Sequence, residues 1–260
     1  MTRLTSMTVV FALVGGCLLA TSAGAQPASS QSKPGAGIVR AVLAGTALPS
    51  VVDAPRYFKV LRVSVPAKQA TTYSGAVGFV FPLSGSVEVA SGTDRQLLSR
   101  EEGLLIAAGK NTTFKAGGGE PAVFLHFVLL RADELNQPME SRPATVTEMY
   151  RTASPIPGLK PGPYEFTLVR VTFPPHFPTN PPHRRSGAAV YYLSSGTGVL
   201  TSGGKTETRS AGILHYEPYD FVHQWGNPGD APFVILQLNI SQEGVPAVIF
   251  VKDEPANAPK

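Results

Sequence analysis

The stretch Gly212–Asn227, with the sequence GILHYEPYDFVHQWGN, decides the fold. Pro218 stands in its middle and is predicted to end one strand in a turn, because proline has no N–H to donate to a sheet. The next strand then points His223 into the interior of a narrow barrel. Asn227 closes the stretch, and its side chain is expected to bond the backbone of its own turn. The stretch therefore predicts two short strands of a β-barrel with an inward-facing imidazole.

Short alternating or apolar runs separated by turn residues continue on both sides of this stretch and predict strands. In the first half they are Phe58–Val65, Val77–Leu83, Ser86–Ala90, Gly103–Ala107 and Ala122–Leu130. In the second half they are Tyr164–Phe173, Ala188–Ser194, Gly198–Ser202, Lys205–Arg209, Ala211–Tyr216, Phe221–Gln224 and Pro232–Ile240. One short helix is predicted, over Ala144–Thr152. The 26 glycines and 24 prolines suit many turns, so the predicted fold class is all-β.

The two halves repeat each other, which identifies the structural unit. Phe81–Ser86 matches Tyr192–Thr197, and Gly103–Ile106 matches Gly212–His215, with an offset of about 110 residues. A unit of that length is the size of one small β-barrel. The chain is therefore predicted to hold two barrels in tandem.

The stretch that ends at Asn227 resembles the second conserved motif of the cupin superfamily. Gly212, Pro218, His223 and Asn227 all stand at the positions of that motif, and Asp220 departs from it, because the family usually has glycine there. The resemblance implies two tandem cupin barrels of the double-stranded β-helix, or jelly-roll, type: a bicupin. Cupin barrels carry many unrelated activities, among them those of dioxygenases, decarboxylases and isomerases, so the fold alone does not choose one.

The first cupin motif, a His-x-His pair followed by a glutamate, is incomplete here. His183 and Arg185 occupy the place of the pair and Ala189 that of the glutamate. Residues two apart on a strand share a face, so both are expected to face the interior opposite His223. The resemblance implies a divalent transition metal, Fe, Mn, Ni or Zn. The candidate ligands here are His183 and His223, joined by His176 from the proline-rich segment before them. Arg185 opposes metal binding, because it brings a permanent positive charge.

Three alternatives follow for the second barrel. It is a metal-dependent enzyme such as a dioxygenase or isomerase, a metal-free pocket for a small and anionic molecule, or a structural remnant. In the first two, Arg185 orients the anionic group of the ligand. The residues predicted to contact the ligand are Arg185, Tyr191, Trp225 and Gln237. No catalytic residue is assigned.

Two further polar residues are assigned outside the ligand set. His215 is expected to pack with an ordinary hydrogen bond, as is His126 of the first half. Glu217 is expected at a solvated turn, and it replaces the missing carboxylate only if the register shifts by one residue.

The first barrel has lost the ligand set in this alignment. Thr72 and Ser74 stand in place of His183 and Arg185, and Phe114 stands in place of His223. An inward phenyl ring predicts a barrel filled by its own side chains, with a structural role.

The chain divides into six predicted segments. Residues 1–25 are a signal peptide, 26–37 a flexible leader, 38–143 the degenerate cupin domain, 144–163 a linker with the short helix, 164–252 the second cupin domain and 253–260 a flexible tail. Arg3, the apolar run from Thr8 to Ala20 and the small residues before Gln26 indicate export to the periplasm or the medium. Lipidation at Cys17 is the alternative.

Composition excludes several classes of partner. The 22 basic and 18 acidic residues give a formal net charge of +4 without basic runs, so neither nucleic acid nor an anionic membrane surface is expected. The mature part has no apolar run of the length of a membrane helix. The expected partner is a small molecule, and a homodimer is left open.

Overall fold

The computed structural model describes residues 37–251. The predicted signal peptide, most of the predicted leader, Cys17 and the predicted tail lie outside these residues. The described part consists of strands and one short 3-10 helix, Ala132–Glu134, and none of its helices is long and apolar enough to cross a membrane. The predicted all-β class is confirmed.

Nineteen strands follow one another within residues 37–251. In the first half they are β1 (Val39–Leu48), β2 (Arg56–Val65), β3 (Ala70–Tyr73), β4 (Gly78–Ser84), β5 (Val87–Ser91), β6 (Asp94–Leu98), β7 (Leu104–Ile106), β8 (Thr112–Ala116), β9 (Ala122–Arg131) and β10 (Thr145–Arg151). In the second half they are β11 (Tyr164–Phe173), β12 (His183–Arg185), β13 (Ala188–Ser195), β14 (Thr197–Ser202), β15 (Lys205–Ser210), β16 (Leu214–Glu217), β17 (Gln224–Gly226), β18 (Phe233–Gln242) and β19 (Val248–Phe250).

The strands form two barrels of matching topology. The first combines a sheet of order β10-β2-β9-β4-β7 with one of order β3-β8-β5-β6. The second combines the orders β1-β11-β18-β13-β16 and β15-β14-β17, with β12 and β19 paired to each other. A bridge between His183 and His223 joins β12 to β17. The duplication predicted from the repeat is therefore present in the strand order.

Two segments depart from the predicted organisation. β1 belongs to the predicted first unit, but it pairs with β11 of the second barrel, from Val39 opposite Thr172 to Leu48 opposite Tyr164. The predicted helix over 144–152 is wrong, because β10 forms there and pairs with β2. The β-branched residues of its sequence, TVTEMYR, suit a strand, and the edge of β2 supplies the hydrogen bonds that the local sequence does not show. The connection between barrels is thus a strand of the first barrel.

The hydrophobic core is continuous between the barrels. One cluster of buried side chains combines Phe79 and Phe127 of the first barrel with Phe166 and Leu238 of the second, and the Phe79 and Phe166 rings lie 4.8 Å apart. Separate clusters fill the interior of each barrel. The large shared apolar interface holds the two barrels as one folded body.

The first barrel is filled by its own side chains, as predicted. Phe114 is fully buried in its interior. The predicted neighbours are one residue out of register: Thr72 and Ser74 are exposed, while Thr71 and Tyr73 face inward. A one-residue slip exchanges the two faces of a strand, and two residues of a short polar run do not reveal which face is buried.

His126 packs inside this barrel and makes a hydrogen bond, as predicted. It is fully buried, and its Nδ1 lies 2.5 Å from Oε1 of Glu140, a residue of the segment between the 3-10 helix and β10. The pair lies inside the filled barrel.

Candidate functional site

The polar centre of the second barrel is the carboxylate of Glu217, whose side chain is fully buried. Arg185 Nε donates a hydrogen bond to Oε2 at 3.0 Å, and Trp225 Nε1 donates one to Oε1 at 3.0 Å. His223 Nε2 lies 2.7 Å from the same Oε1. Each carboxylate oxygen therefore already has a protein partner.

The prediction that Glu217 lies at a solvated turn is wrong. β16 continues up to Glu217, which pairs with Ala189 of β13, so that the turn begins only at Pro218. The side chain thereby faces the barrel. Burial alone would raise the pKa of this carboxyl, but His223 and Arg185 outweigh that effect and hold it well below its ordinary value. The Glu217 carboxylate therefore stands on the strand beside Ala189, the position of the missing glutamate.

His183 and His223 meet inside the barrel, as predicted. Their strands are bridged at these two residues, and the ring centroids are 4.3 Å apart. Nδ1 of His183 donates to the carbonyl oxygen of Pro181 at 2.9 Å, and Nδ1 of His223 donates to that of Phe221 at 3.0 Å. Both backbone bonds direct the Nε2 atoms away from these carbonyls.

The two imidazoles have different surroundings. His223 lies between two acceptors, the Phe221 carbonyl at Nδ1 and Glu217 Oε1 at 2.7 Å from Nε2. Burial, with the neighbouring His223 and Arg185, lowers the pKa of His183 to about 3. His183 is therefore neutral at physiological pH, with a lone pair on Nε2.

Arg185 is a structural cation and is not free to clamp a ligand. Burial lowers its pKa to about 10 against the opposing effect of Glu217, so it stays charged at neutral pH. Its guanidinium carbon lies 5.3 Å from the centroid of the Tyr191 ring. With its amide turned so that the oxygen faces donors, Gln237 accepts from the Tyr191 hydroxyl at 3.0 Å and from Arg185 Nη1 at 2.8 Å. Arg185, Tyr191, Trp225 and Gln237 thus form one buried network.

A second guanidinium, that of Arg40, reaches this network from β1. Its Nη1 lies 3.4 Å from the Gln237 side chain, which presents its amide nitrogen there once the oxygen faces Arg185. Within residues 37–251 Arg40 forms no ion pair, and burial lowers its pKa. Sequence reasoning missed it, because nothing in the local pattern of β1 indicates that this strand joins the second barrel.

The remaining predicted residues lie elsewhere. His176 is not brought to the site: its side chain is 67% exposed and pairs with Asp230 on the surface. His215 is partly buried beside Trp225, with ring centroids 5.9 Å apart, and its Nε2 lacks a hydrogen-bond partner among the described residues. Asn227 bonds its own turn as predicted, donating to Pro174 and Ala231 carbonyls and accepting from Gly229.

Asp220, the departure from the cupin motif, adopts a φ of 65°. This left-handed conformation favours glycine and is tolerated by aspartate among the other residues. Its carboxylate pairs with Arg184 at 2.7 Å. Asp220 therefore forms the same turn as the glycine that the motif usually has at this position.

The residues do not fit a resident divalent metal. Arg185 covers one oxygen of Glu217, and Trp225 and His223 cover the other. Catalytic zinc sites use three protein ligands, and no group of three His, Cys, Asp or Glu residues between 37 and 251 is placed to hold a metal. His183 Nε2 alone offers a lone pair.

Fold and site together define a double β-barrel protein with one barrel packed solid and one barrel lined by a buried polar cluster. Residues 169–239, in the second barrel, match the family model of the cupin domain. The second barrel is therefore a cupin domain, and the described chain has the double-barrel fold of a bicupin.

Solved structures of cupins share the fold at low sequence identity. The chain is similar to oxalate decarboxylase, with a TM-score of 0.52, 12% identity and coverage of 86% of this chain and 81% of that one. It is similar to AerE from Microcystis aeruginosa, with a TM-score of 0.51, 14% identity and coverage of 75% of this chain and 97% of that one. It is also similar to the coconut allergen cocosin, with a TM-score of 0.50, 11% identity and coverage of 72% of this chain and 77% of that one. A comparison with curated protein sequences found no match. Identities this low establish the fold and leave the activity to the site.

Proposed function

We propose that the second barrel binds a small organic anion without a metal, and that Arg40 is the group that receives the anionic end. One observation carries this proposal: two guanidinium groups, Arg40 and Arg185, meet around Gln237, while the only carboxylate bonded in the cluster is that of Glu217. The cluster therefore has an excess of positive charge.

Unpaired charge is costly away from water, and anions are its natural partners. Glu217 is saturated by Arg185, Trp225 and His223 and cannot also neutralise Arg40. Arg40 is partly buried, whereas His183, Arg185 and His223 are almost fully buried, so the accessible side of the cluster is that of β1. A carboxylate bound there would accept paired N–H groups from the guanidinium.

The sole tryptophan of the chain supplies a local reporter for this proposal. Trp225 is buried against Glu217, so its fluorescence responds to changes in the cluster. We expect saturable fluorescence changes on titration with at least one of acetate, oxalate and benzoate. Arg40→Gln should weaken that binding by about tenfold or more, the value of a charge-assisted hydrogen bond.

Arg95→Gln is the matched control, because Arg95 is an exposed arginine paired with Glu88 and stands on β6 of the other barrel. It should leave the titration unchanged. Equal affinity in native protein and Arg40→Gln, or no response to any of the three carboxylates, contradicts the proposal.

A metal-dependent enzyme, such as a dioxygenase or isomerase, is the second candidate. The observation in its favour is that both Nδ1 atoms are held by backbone carbonyls, which is how metal-binding imidazoles are oriented. This candidate requires Glu217 to leave Arg185 and Trp225, which hold its two oxygens.

Elemental analysis separates the two candidates. Protein purified without chelator should hold far less than one equivalent of Fe, Mn, Ni or Zn, and chelator treatment should leave carboxylate binding unchanged. One equivalent of metal in native protein that is lost in His223→Ala would establish the second candidate instead.

We also propose that the protein acts outside the cytoplasm. Support comes from the amino-terminal sequence: a basic residue, Arg3, an apolar run and small residues before Gln26. A small-molecule anion is a ligand available in that compartment.

A further inference from the structure

A cleft of about 650 Å³ opens between the two barrels, on a different part of the surface from the buried cluster. The first barrel contributes the end of β4 and the turn before β7, and the second contributes β11 and the end of β13. Its lining residues are Phe81, Pro82, Leu83, Arg100, Glu101, Arg170, Thr172, Ser194, Ser195 and Val234. Boundaries between domains are common places for small-molecule sites.

Two β-bulges shape this cleft. The pairing of β4 with β9 shifts register between Pro82 and Ser84, and the pairing of β13 with β18 shifts between Leu193 and Ser195. The bulges stand at corresponding positions of the two repeats. Bulges redirect side chains and interrupt pairing, and here they face the same opening from opposite barrels.

The charged groups of the cleft form one exchangeable ion pair. Arg170 Nη1 lies 2.8 Å from Glu101 Oε2, with 76% of the Glu101 side chain exposed. Glu101 has a φ of 73°, a conformation that non-glycine residues seldom adopt. Exposed ion pairs add little stability, so a second carboxylate can replace that of Glu101 at small cost. Arg100 adds a further positive charge at the rim.

We propose that the cleft is a second binding site, for a small carboxylate with an apolar body. The ligand carboxylate takes the place of Glu101 on Arg170, and guanidinium groups bind this planar group in paired hydrogen bonds. Hydroxyls of Thr172, Ser194 and Ser195 line the polar side. Phe81, Leu83 and Val234 supply the apolar wall for the ligand body.

The test is a titration of the ¹⁵N-labelled full chain with benzoate, followed by the amide signals of Ser194 and Ser195. These signals separate the cleft from the buried cluster, and the Arg40→Gln variant provides a background in which the cluster cannot contribute its anion-binding group. We expect benzoate to shift both signals equally well in native protein and in Arg40→Gln. Benzyl alcohol, which has the same ring without the charge, should not shift them.

Two variants should change the affinity in opposite directions. Arg170→Gln should weaken benzoate binding by about tenfold, and Glu101→Gln should strengthen it severalfold by removing the internal competitor. Arg95→Gln should have no effect, because it removes an arginine from another exposed ion pair outside the cleft. The gain in Glu101→Gln cannot arise from misfolding.

The inference is overturned if benzoate leaves the Ser194 and Ser195 amides unmoved, or if Arg170→Gln binds as tightly as native protein. Tighter binding of inorganic phosphate than of benzoate would overturn the assigned ligand class. None of these results bears on carboxylate binding at Arg40, which the tryptophan titration tests separately.

Discussion

Glu217→Gln is expected to lower the free energy of unfolding by about 3–5 kcal/mol, the cost of removing one partner of a buried ion pair. The glutamine amide keeps the shape of the side chain and can still accept from Trp225, but it leaves Arg185 as a buried cation without its carboxylate. The measurement is the midpoint of urea unfolding, with the slope checked for two-state behaviour.

Glu207→Gln provides the matched control, because Glu207 pairs with Arg209 on the surface of β15. It should change the stability by less than about 1 kcal/mol. The double variant Glu217→Gln/Arg185→Met should recover part of the loss, since it removes both charges together. A Glu217→Gln protein as stable as the control would show that Arg185 is not buried against this carboxylate.

His183 is expected to make the protein less stable as the pH falls from about 6.5 towards 3. Its pKa is about 3 in the folded protein and about 6.5 in an unfolded chain, so the unfolded state binds the additional proton across this range. Stability therefore drops with falling pH, by up to about 1.4 kcal/mol for each pH unit. His183→Asn should remove this part of the slope, because asparagine keeps a donor towards the Pro181 carbonyl but does not titrate.

Between pH 6.5 and 4.5 the comparison of native protein with His183→Asn isolates His183, because His215, whose pKa is also lowered by burial, contributes the same slope to both proteins. Glu217 acts in the same direction at lower pH. Its depressed pKa stabilises the fold at pH values above the ordinary pKa of a glutamate, and this stabilisation is lost as the pH falls below that pKa. His176→Asn is the control, since the exposed His176 pairs only with an exposed aspartate. The prediction fails if the stability of native protein and His183→Asn declines in parallel through this window.

The two barrels use equivalent positions for opposite purposes. Strand register places Tyr73 with His183, Ile106 with Glu217, Phe114 with Trp225 and His126 with Gln237. These first-barrel residues pack or bond within that barrel, and the buried imidazole of His126 bonds to Glu140. The second barrel instead buries a cluster of charged and polar side chains at this place. Duplication thus left one barrel to support the fold and one to carry the polar site.

Much of the fold could be predicted from the sequence because each barrel strand has its own hydrophobic period. The strand at Tyr164–Phe173 was predicted with the bounds that the structure shows. The stretch around His223 also predicted its inward direction and the turn bonded by Asn227. Short polar strands such as β3 and β12 have too few residues to show a period, and β10 was mistaken for a helix for the same reason.

The candidate site was only partly predictable. Local spacing brought His183, Arg185 and His223 together correctly. Glu217 was assigned to a solvated turn, because a carboxylate beside a proline carries no local sign of burial, and one added residue of strand reverses its direction. Arg40 could not be identified from the sequence, since Gln237, the side chain that it approaches, lies 197 residues away.

The sequence by itself determined the all-β class, the duplication and the inward imidazoles, because these follow from periodicity and turn chemistry within a few neighbouring residues. Tertiary structure alone decided which charged groups lie next to each other. In the folded protein β1 pairs with the second barrel and brings Arg40 to it, and Glu217 binds Arg185. Electrostatic interactions act through space between groups that the chain brings together only on folding. The balance of charge in this barrel is therefore a property of the folded protein.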